Sequence, residues 1–524
     1  MAHAILEKAS RLYHQRRWDE AAALLQECRR RMPGELQVYN LLGLVALEKR
    51  DWPAAIGAFE AGLRLDPQNP ELWNNFGLVM AHQRRWADSE TCLRNALRFA
   101  PDLPIAKFSL VRALLHQLKF EEVLPLLDEV APHYAEHAVP HLRGDYSFLR
   151  GTALLRLNRL EEAEPHFRRT LEIEPKLLEV LNNLGVTVRL LGRIDEAVEL
   201  FDRALAIDPN HAESHINRAT VRLLQGDYAE GWKEFDWRFV TYHLLYGHKE
   251  LTMPRWEGQP LGEGSALLLL AEQGLGDTIQ FIRLARQAKE RLGGGRIIVE
   301  TQAVLARLLR GVEGIDQVII RGTPRPPFQA WSPLMSLARF FCPAPEAVPA
   351  SVPYLGASLS GSPRTGPLRV GIVWAGSGDH AENRARSCPP EALLPLRDVP
   401  GVEIVSLQKL EPSAPPPPFP DAVGACRDFL DTARVVAGLD LVLAVDTAVG
   451  HLAGAMGKPL WLLLPRHAEW RWLIDRETTP WYPTARLMRQ PARGDWVGLI
   501  ARVARELEEA ARTGAGLLPP ASPS

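Results

Sequence analysis

The fold class predicted for this 524-residue chain is an α-solenoid followed by a pair of α/β halves. Three observations carry the prediction. A 34-residue period runs through residues 1–240. Short apolar runs alternate with helical segments after Trp256. Glycines and carboxylates stand at the ends of several of those runs.

The period comes first. Pro33, Pro67 and Pro101 are 34 residues apart, and so are Pro175 and Pro209. Eight residues before each proline stands a bulky residue: Leu25, Phe59, Leu93, Phe167 or Phe201. Four before that stands a small one: Ala21, Ala55, Ser89, Ala163 or Ala197. Gly43, Gly77, Gly151 and Gly185 keep the same phase. The small positions suit the contact between two helices of a unit, and the bulky ones suit the groove against the next unit. A proline cannot continue a helix, so it closes each unit. This is the tetratricopeptide pattern of helix–turn–helix units. Val123 and Gly231 place weaker units, and the spacing slips by about six residues between Pro132 and Leu142. About seven units therefore span residues 1–240, with an insertion near 132–142 and an atypical last unit that docks or caps. Such stacks present a concave surface to a peptide or protein, or serve as spacers. Asn40, Asn74, Asn75, Asn182, Asn183 and Asn217 recur on the inner helices. They suit either hydrogen bonds to an extended peptide backbone or simple helix packing.

Residues 241–262 read as a linker. Beyond it, strand and helix patterns alternate as in βαβ units. Ala266–Glu272, Arg296–Thr301 and Gln317–Arg321 read as strands, with helices at Asp277–Leu292 and Pro333–Phe341. They form a short first half, residues 263–355. A linker at 356–367 leads to a second half, residues 368–490. Its strands are Leu368–Ala375, Val402–Leu407, Leu441–Val445 and Leu460–Leu464. Its helices lie near Pro389–Arg397, Asp428–Leu439 and Ala448–Met456. A C-terminal helix follows within 491–513, and a disordered tail is expected at 514–524.

Ligands in open α/β sheets bind beyond the C-terminal ends of the strands. Four motifs stand there. Gly274 and Gly276, in Glu272-Gln273-Gly274-Leu275-Gly276-Asp277, let backbone N–H groups approach an anion at a helix start. Asp277 reads either as the N-cap of that helix or as a cleft carboxylate that takes a proton from an acceptor hydroxyl. Ser377 and Arg386, after Trp374-Ala375-Gly376, suit phosphate oxygens, or else belong to a solvated basic loop. Gln408 and Lys409 end another strand, where a lysine either neutralises a diphosphate or is simply solvated. Asp446 and Thr447 lead into a helix carrying His451, which reads as a ligand group or as a buried structural histidine. The third glycine of a dinucleotide fingerprint is missing, and no Gly-Lys-Ser/Thr follows, so Rossmann dehydrogenases and P-loop ATPases fit poorly.

These motifs carry a resemblance. Gly276-Asp277 and Asp446-Thr447…His451-Leu452-Ala453-Gly454-Ala455-Met456-Gly457-Lys458-Pro459 resemble bacterial glycosyltransferase family 9, the heptosyltransferase-like proteins. Glu272–Phe281, Asp428–Thr432 and Trp470-Arg471-Trp472…Trp481-Tyr482-Pro483 are similar to bacterial proteins that join tetratricopeptide repeats to such a domain. The resemblance implies a GT-B pair of Rossmann-like domains and metal-independent transfer, without a cofactor, from a nucleotide-sugar substrate of hexosyl or heptosyl type. It implies Asp277 as base. Taken together with the motif readings above, it places Gly274, Gly276, Ser377, Arg386, Gln408, Lys409, Asp446, Thr447 and His451 around the nucleotide sugar. The first half is shorter than in heptosyltransferases, so the repeats are expected to recruit the acceptor, a protein or peptide. The rival expectation is a non-catalytic interaction scaffold with a degenerate domain.

Composition agrees with a folded chain. It is 46% hydrophobic and 24% charged, which excludes whole-chain disorder. A formal net charge of −2 gives no global attraction to nucleic acid or anionic membrane. No apolar run approaches the roughly 18–20 residues of a membrane span. No signal-peptide core is evident, and the five cysteines are scattered and never paired as CxxC. A cytoplasmic protein without a metal site is expected.

Overall fold

The computed structural model describes residues 2–136, 139–242, 251–356, 366–376, 383–410 and 417–519. It divides into two compact units, Met1–Thr187 and Val188–Ser524.

The first unit is helical. Five helix pairs fall in it, from Ala2–His14 with Trp18–Arg31 to Pro140–Arg156 with Leu160–Ile173. The helix Leu178–Leu190 crosses the division, and its partner Ile194–Ile207 and the pair Ala212–Gln225 and Tyr228–Phe235 lie in the second unit. Seven pairs therefore stand among the described residues. Each second helix preceding an expected proline stops two residues short of it, as at Leu65 before Pro67 and Phe99 before Pro101. The small residues Ala21, Ala55, Ser89 and Ala163 are fully buried, as expected.

The bulky residues do more than fill the groove towards the next unit. A Cβ on Gly43 would collide with the Phe59 ring, one on Gly77 would lie 2.8 Å from Leu93, and one on Gly151 2.9 Å from Phe167. Each bulky side chain thus covers the glycine of its own unit. Phe59 also clusters with Leu72 of the following unit.

A second repeat appears in the backbone. Arg16, Arg50, Arg84, Leu118 and Asn158 each take φ between 58° and 62° at the turn inside a pair, and Gly192 and Gly226 hold the equivalent places in the second unit with φ of 86° and 88°. All are 34 residues apart except Leu118 and Asn158, which stand six further. The extra residues form a single π turn, Pro132–Glu136, beside the undescribed 137–138.

The second unit holds two parallel sheets. The first runs β3-β2-β1-β4, with β1 Ala266–Leu270, β2 Arg296–Thr301, β3 Gln317–Ile320 and β4 Ala330–Pro333. The second runs β6-β5-β7-β8-β9, with β5 Leu368–Val373, β6 Val402–Ser406, β7 Leu441–Val445, β8 Leu460–Leu464 and β9 Ala485–Arg489. β1, β7 and β8 are buried along their whole length, which explains their continuous apolar runs. The order reverses between β1 and β4 in one sheet and between β5 and β7 in the other.

Several expectations are corrected. β4 and β9 lie outside the strands that the apolar runs predict. β4 opens the segment expected as the helix Pro333–Phe341, which is instead a 3-10 turn, Leu334–Leu337, and one helical turn, Ala338–Phe341. The helix expected at Asp277–Leu292 starts earlier and is broken by a 3-10 turn: Leu275–Phe281, Ile282–Leu284, Ala285–Leu292. Pro390–Asp398 is 3-10, consistent with Pro390 and Pro395 within it. Residues 251–262 are not a loose linker, because Trp256 is fully buried and its backbone N–H donates to Trp331 O at 2.8 Å. The tail is ordered as far as it is described: Trp461 Nε1–H donates to Leu517 O at 3.0 Å and Arg486 to Gly516 O at 2.9 Å. The C-terminal helix, Trp496–Thr513, packs on the second sheet through Leu499, Ile500 and Val503.

The last repeat is built into this unit. Trp232 lies edge-on to Phe281, Trp470 and Trp481 at centroid distances of 5.6, 5.0 and 6.5 Å. Arg238, 1% exposed, donates two hydrogen bonds to Glu272 at the end of β1, at 2.8 and 2.9 Å. The terminal unit therefore docks on the loop that opens the first candidate motif.

Candidate functional site

The two switch-point helices meet at their N-termini. Leu275–Phe281 rises from β1 and Ala448–Ala455 from β7. A Cβ on Gly276 would stand 2.7 Å from His451 Cδ2 and 3.6 Å from Ala448 Cα. Only glycine permits that approach.

Asp277 is not the N-cap. Gly274 occupies that place, because the helix begins at Leu275. From the third helical position the Asp277 carboxylate accepts the Gly274 N–H at 2.8 Å. Its other oxygen accepts from Arg471. Arg471 also binds Glu469, and its Nε donates to Gln280 Oε1 at 2.7 Å. Burial works against the Arg471 charge, but Glu469, Asp277 and Asp446 outweigh it and raise its pKa.

Asp446 is 7% exposed. It accepts from Trp472 Nε1–H at 2.9 Å and faces His451 Nε2 at 3.4 Å. Burial alone would raise the Asp446 carboxyl. The hydrogen bonds and charges of His451, Arg471 and Trp472 outweigh it and hold the carboxyl below the usual range. His451, 5% exposed, shares a 2.8 Å hydrogen bond between Nδ1 and Tyr482 Oη and stacks on Trp472. Thr447 caps its helix, accepting the Gly450 N–H at 3.5 Å. Glu469 keeps 28% of its side chain exposed. Burial still pushes its carboxyl up to about 7; Arg471 opposes that shift, and Asp446 and Asp277 reinforce it.

The structure thus brings Gly274, Gly276, Asp277, Asp446, Thr447 and His451 into one cluster centred on Arg471. Gln408 and Lys409 follow β6 in the second sheet, and Arg386 ends the helical turn Asn383–Arg386. Gln408 Oε1 accepts the N–H groups of Trp374 at 3.2 Å and Ala375 at 2.9 Å, so it shapes the loop after β5. Lys409 is exposed and donates to Cys426 O at 3.1 Å. Arg386 precedes Cys388, whose N–H binds Trp374 O, and its buried Nε has no partner among the described residues. Ser377 lies outside the described residues. Sequence reading assigned no role to Arg471, Glu469 or Tyr482. The one available signal was an arginine between two tryptophans in Trp470-Arg471-Trp472.

Comparisons with known proteins bear on the repeats. Residues 6–70, 148–210 and 200–233 match models of the tetratricopeptide repeat. The N-terminal part of the chain carries tetratricopeptide repeats. Protein FlbA of Caulobacter vibrioides is 27% identical over 329 residues, covering 56% of this chain and 54% of its own. The chain therefore spans about half the length of that relative. Among solved structures, the type IV pilus biogenesis factor PilW is 17% identical. It covers 41% of this chain and 96% of its own, with a TM-score of 0.35. YrrB, described as a TPR protein with an unusual peptide-binding site, is 18% identical and covers 38% of this chain and all of its own, with a TM-score of 0.29.

Within the tetratricopeptide repeats, part of the expected asparagine row makes contact. Asn75 Nδ2 donates to Asn40 Oδ1 at 2.8 Å, bridging two successive repeats, and Asn74 donates to Asn75 at 3.1 Å. Asn74 is buried, while Asn40 and Asn75 are half-buried. No helix among the described residues is long and apolar enough to cross a membrane.

Proposed function

We propose that the chain is a glycosyltransferase of GT-B type whose repeats recruit a protein or peptide acceptor. The observation that supports this reading is the meeting of two switch-point loops, each from its own parallel sheet, with carboxylates, His451 and Arg471 between them. In this scheme a nucleotide sugar lies across the C-terminal ends of β5 and β7. The N–H groups at Thr447, with Lys409 and Arg386, face its diphosphate. The acceptor oxygen bonds to the anomeric carbon as the bond to the diphosphate breaks. The hydroxyl proton passes to Asp277, after release from Arg471, or to Glu469, whose raised pKa suits proton transfer near neutral pH. The half-buried Asn40–Asn75 pair supplies polar groups for an extended peptide in the repeat groove.

A second reading, a protein-interaction scaffold with an inactive α/β part, is favoured by one observation. Both ring nitrogens of His451 and both oxygens of Asp277 already have partners within the chain. Nucleotide-sugar hydrolysis without acceptor separates the two. Turnover that falls about 10²–10⁴-fold in Asp277→Asn supports Asp277 as base. Turnover unchanged in Asp277→Asn but lost in Glu469→Gln moves that role to Glu469. No hydrolysis and no thermal shift with any nucleoside diphosphate or its sugar leaves the scaffold.

A further inference from the structure

A cavity of about 580 Å³ opens at the far edge of the second sheet. Its walls are the segment after β8, the end of β9 and the first turns of Trp496–Thr513. β9 lies two strands beyond β7, roughly 10 Å away by strand spacing, so the cavity is separate from the switch point. Five arginines line it: Arg466, Arg476, Arg489, Arg502 and Arg505. Only two carboxylates share the wall, Asp475 and Glu477, and both pair loosely, with Arg466 at 3.7 Å and Arg502 at 3.4 Å. Arg502 is also held by Glu506 at 2.8 Å. Arg476 and Arg505 have no ion-pair partner among the described residues.

Two further features suit an anion. Gln490 lines the cavity and is 1% exposed. Its Oε1 accepts the Gly494 N–H at 2.9 Å, but its Nε2 is buried with no partner. A buried amide donor left unpaired is costly unless a ligand or water satisfies it. Arg489 is the second. It donates to Trp472 O and Leu473 O at 2.7 and 2.8 Å, so backbone carbonyls rather than a carboxylate hold it. Burial, against the opposing charge of Asp475 and with a smaller push from Arg466, pulls its pKa down to about 10. A half-buried guanidinium that is hydrogen-bonded to carbonyls and stands beside another cation is stabilised by an incoming anion.

We propose that this cavity binds a phosphate-bearing small molecule, with Gln490 Nε2–H and the Arg476 and Arg505 guanidinium groups donating to its phosphate oxygens. Planar guanidinium forks match phosphate geometry, and the volume falls in the usual range for small-molecule sites.

Isothermal titration of the full chain with inorganic pyrophosphate, at fixed ionic strength, tests it. One site is expected beyond any that the switch point supplies, and it should persist in Lys409→Ala. The double variant Arg476→Gln/Arg505→Gln removes exposed, unpaired side chains, so it should fold, and it should bind about tenfold or more weakly. Gln490→Glu keeps an acceptor for Gly494 and puts an oxygen where the free donor stands, so it should weaken binding as well. Lys409→Ala, whose side chain lies outside this cavity, should leave binding at this site unchanged. Uridine diphosphate in that Lys409→Ala background then identifies the ligand. Affinity equal to pyrophosphate means the phosphates alone are read; tighter binding means a nucleoside fills the rest of the cavity. The proposal fails if pyrophosphate does not bind, if the arginine pair does not matter, or if Lys409→Ala abolishes binding.

Discussion

The molecule has two kinds of interior. In the repeats, glycine meets phenylalanine or leucine, and the same contact recurs at Gly43, Gly77 and Gly151. Around Arg471, single copies of Asp277, Glu469, Asp446 and His451 meet once, drawn from segments almost two hundred residues apart. An apolar interior of this kind tolerates loss by degrees. A buried charge cluster depends on every member, because removing one leaves the others without compensation.

The largest expected effect is therefore at the centre of the charged cluster. Arg471→Met should cost roughly 3–5 kcal/mol in chemical denaturation, since it strands buried carboxylates. Adding Asp277→Asn should return part of that loss. A double-mutant cycle with no coupling would mean the two groups do not interact in solution. In the repeats, Gly43→Val should cost about 1–3 kcal/mol, because the Phe59 ring must move. If Gly43→Val costs more than Arg471→Met, the contrast between the interiors is wrong.

The charged cluster also predicts a pH dependence. The raised Glu469 pKa means that the folded chain holds a proton the unfolded chain has released. Its contribution is complete below the ordinary carboxylate range and is lost as pH rises through about 7, by roughly 1–3 kcal/mol. Asp446 works in the other direction, since its depressed pKa is lost only as pH falls well below 4. Burial lowers His116, His166 and His467, so they favour folding as pH rises through 6–7. The readout is therefore the difference between the parent protein and Glu469→Gln from pH 5 to 8. Parallel stability curves would remove Glu469 from the account.

The same contrast explains what the sequence made legible. The repeats were readable because one steric solution is written many times with one period. Even the six-residue slip reappears in the spacing of Leu118 and Asn158. Central strands were readable because burial on both faces demands unbroken apolar runs. The edge strands β4 and β9 escaped because Ala330–Pro333 carries serine and proline, and Ala485–Arg489 interleaves arginines. Asp277, Asp446 and His451 stood out by position at strand ends. Arg471 did not, because it sits in an irregular segment and its partners are set by tertiary packing. Register within the first helix was also hidden. A Gly-Leu-Gly-Asp string does not say whether glycine or aspartate opens the helix, and the structure places Gly274 there.

The smallest expected effect tests the repeat turns against each other. Leu118 holds φ 62°, a conformation that costs a side-chain-bearing residue roughly 1–2 kcal/mol, and it is 70% exposed. Leu118→Gly relieves that cost and removes no core contact. It also adds freedom to the unfolded chain, which offsets about 0.4–1 kcal/mol. A net gain of roughly 0.5 kcal/mol is expected in equilibrium unfolding. The converse change, Gly226→Ala at φ 88° in the last repeat, should lose about 1 kcal/mol. A gain at Leu118 paired with a loss at Gly226 would show that these turns share one backbone geometry and that leucine is tolerated there at a cost. If Leu118→Gly is destabilising instead, the leucine side chain contributes a contact that outweighs the strain of its turn.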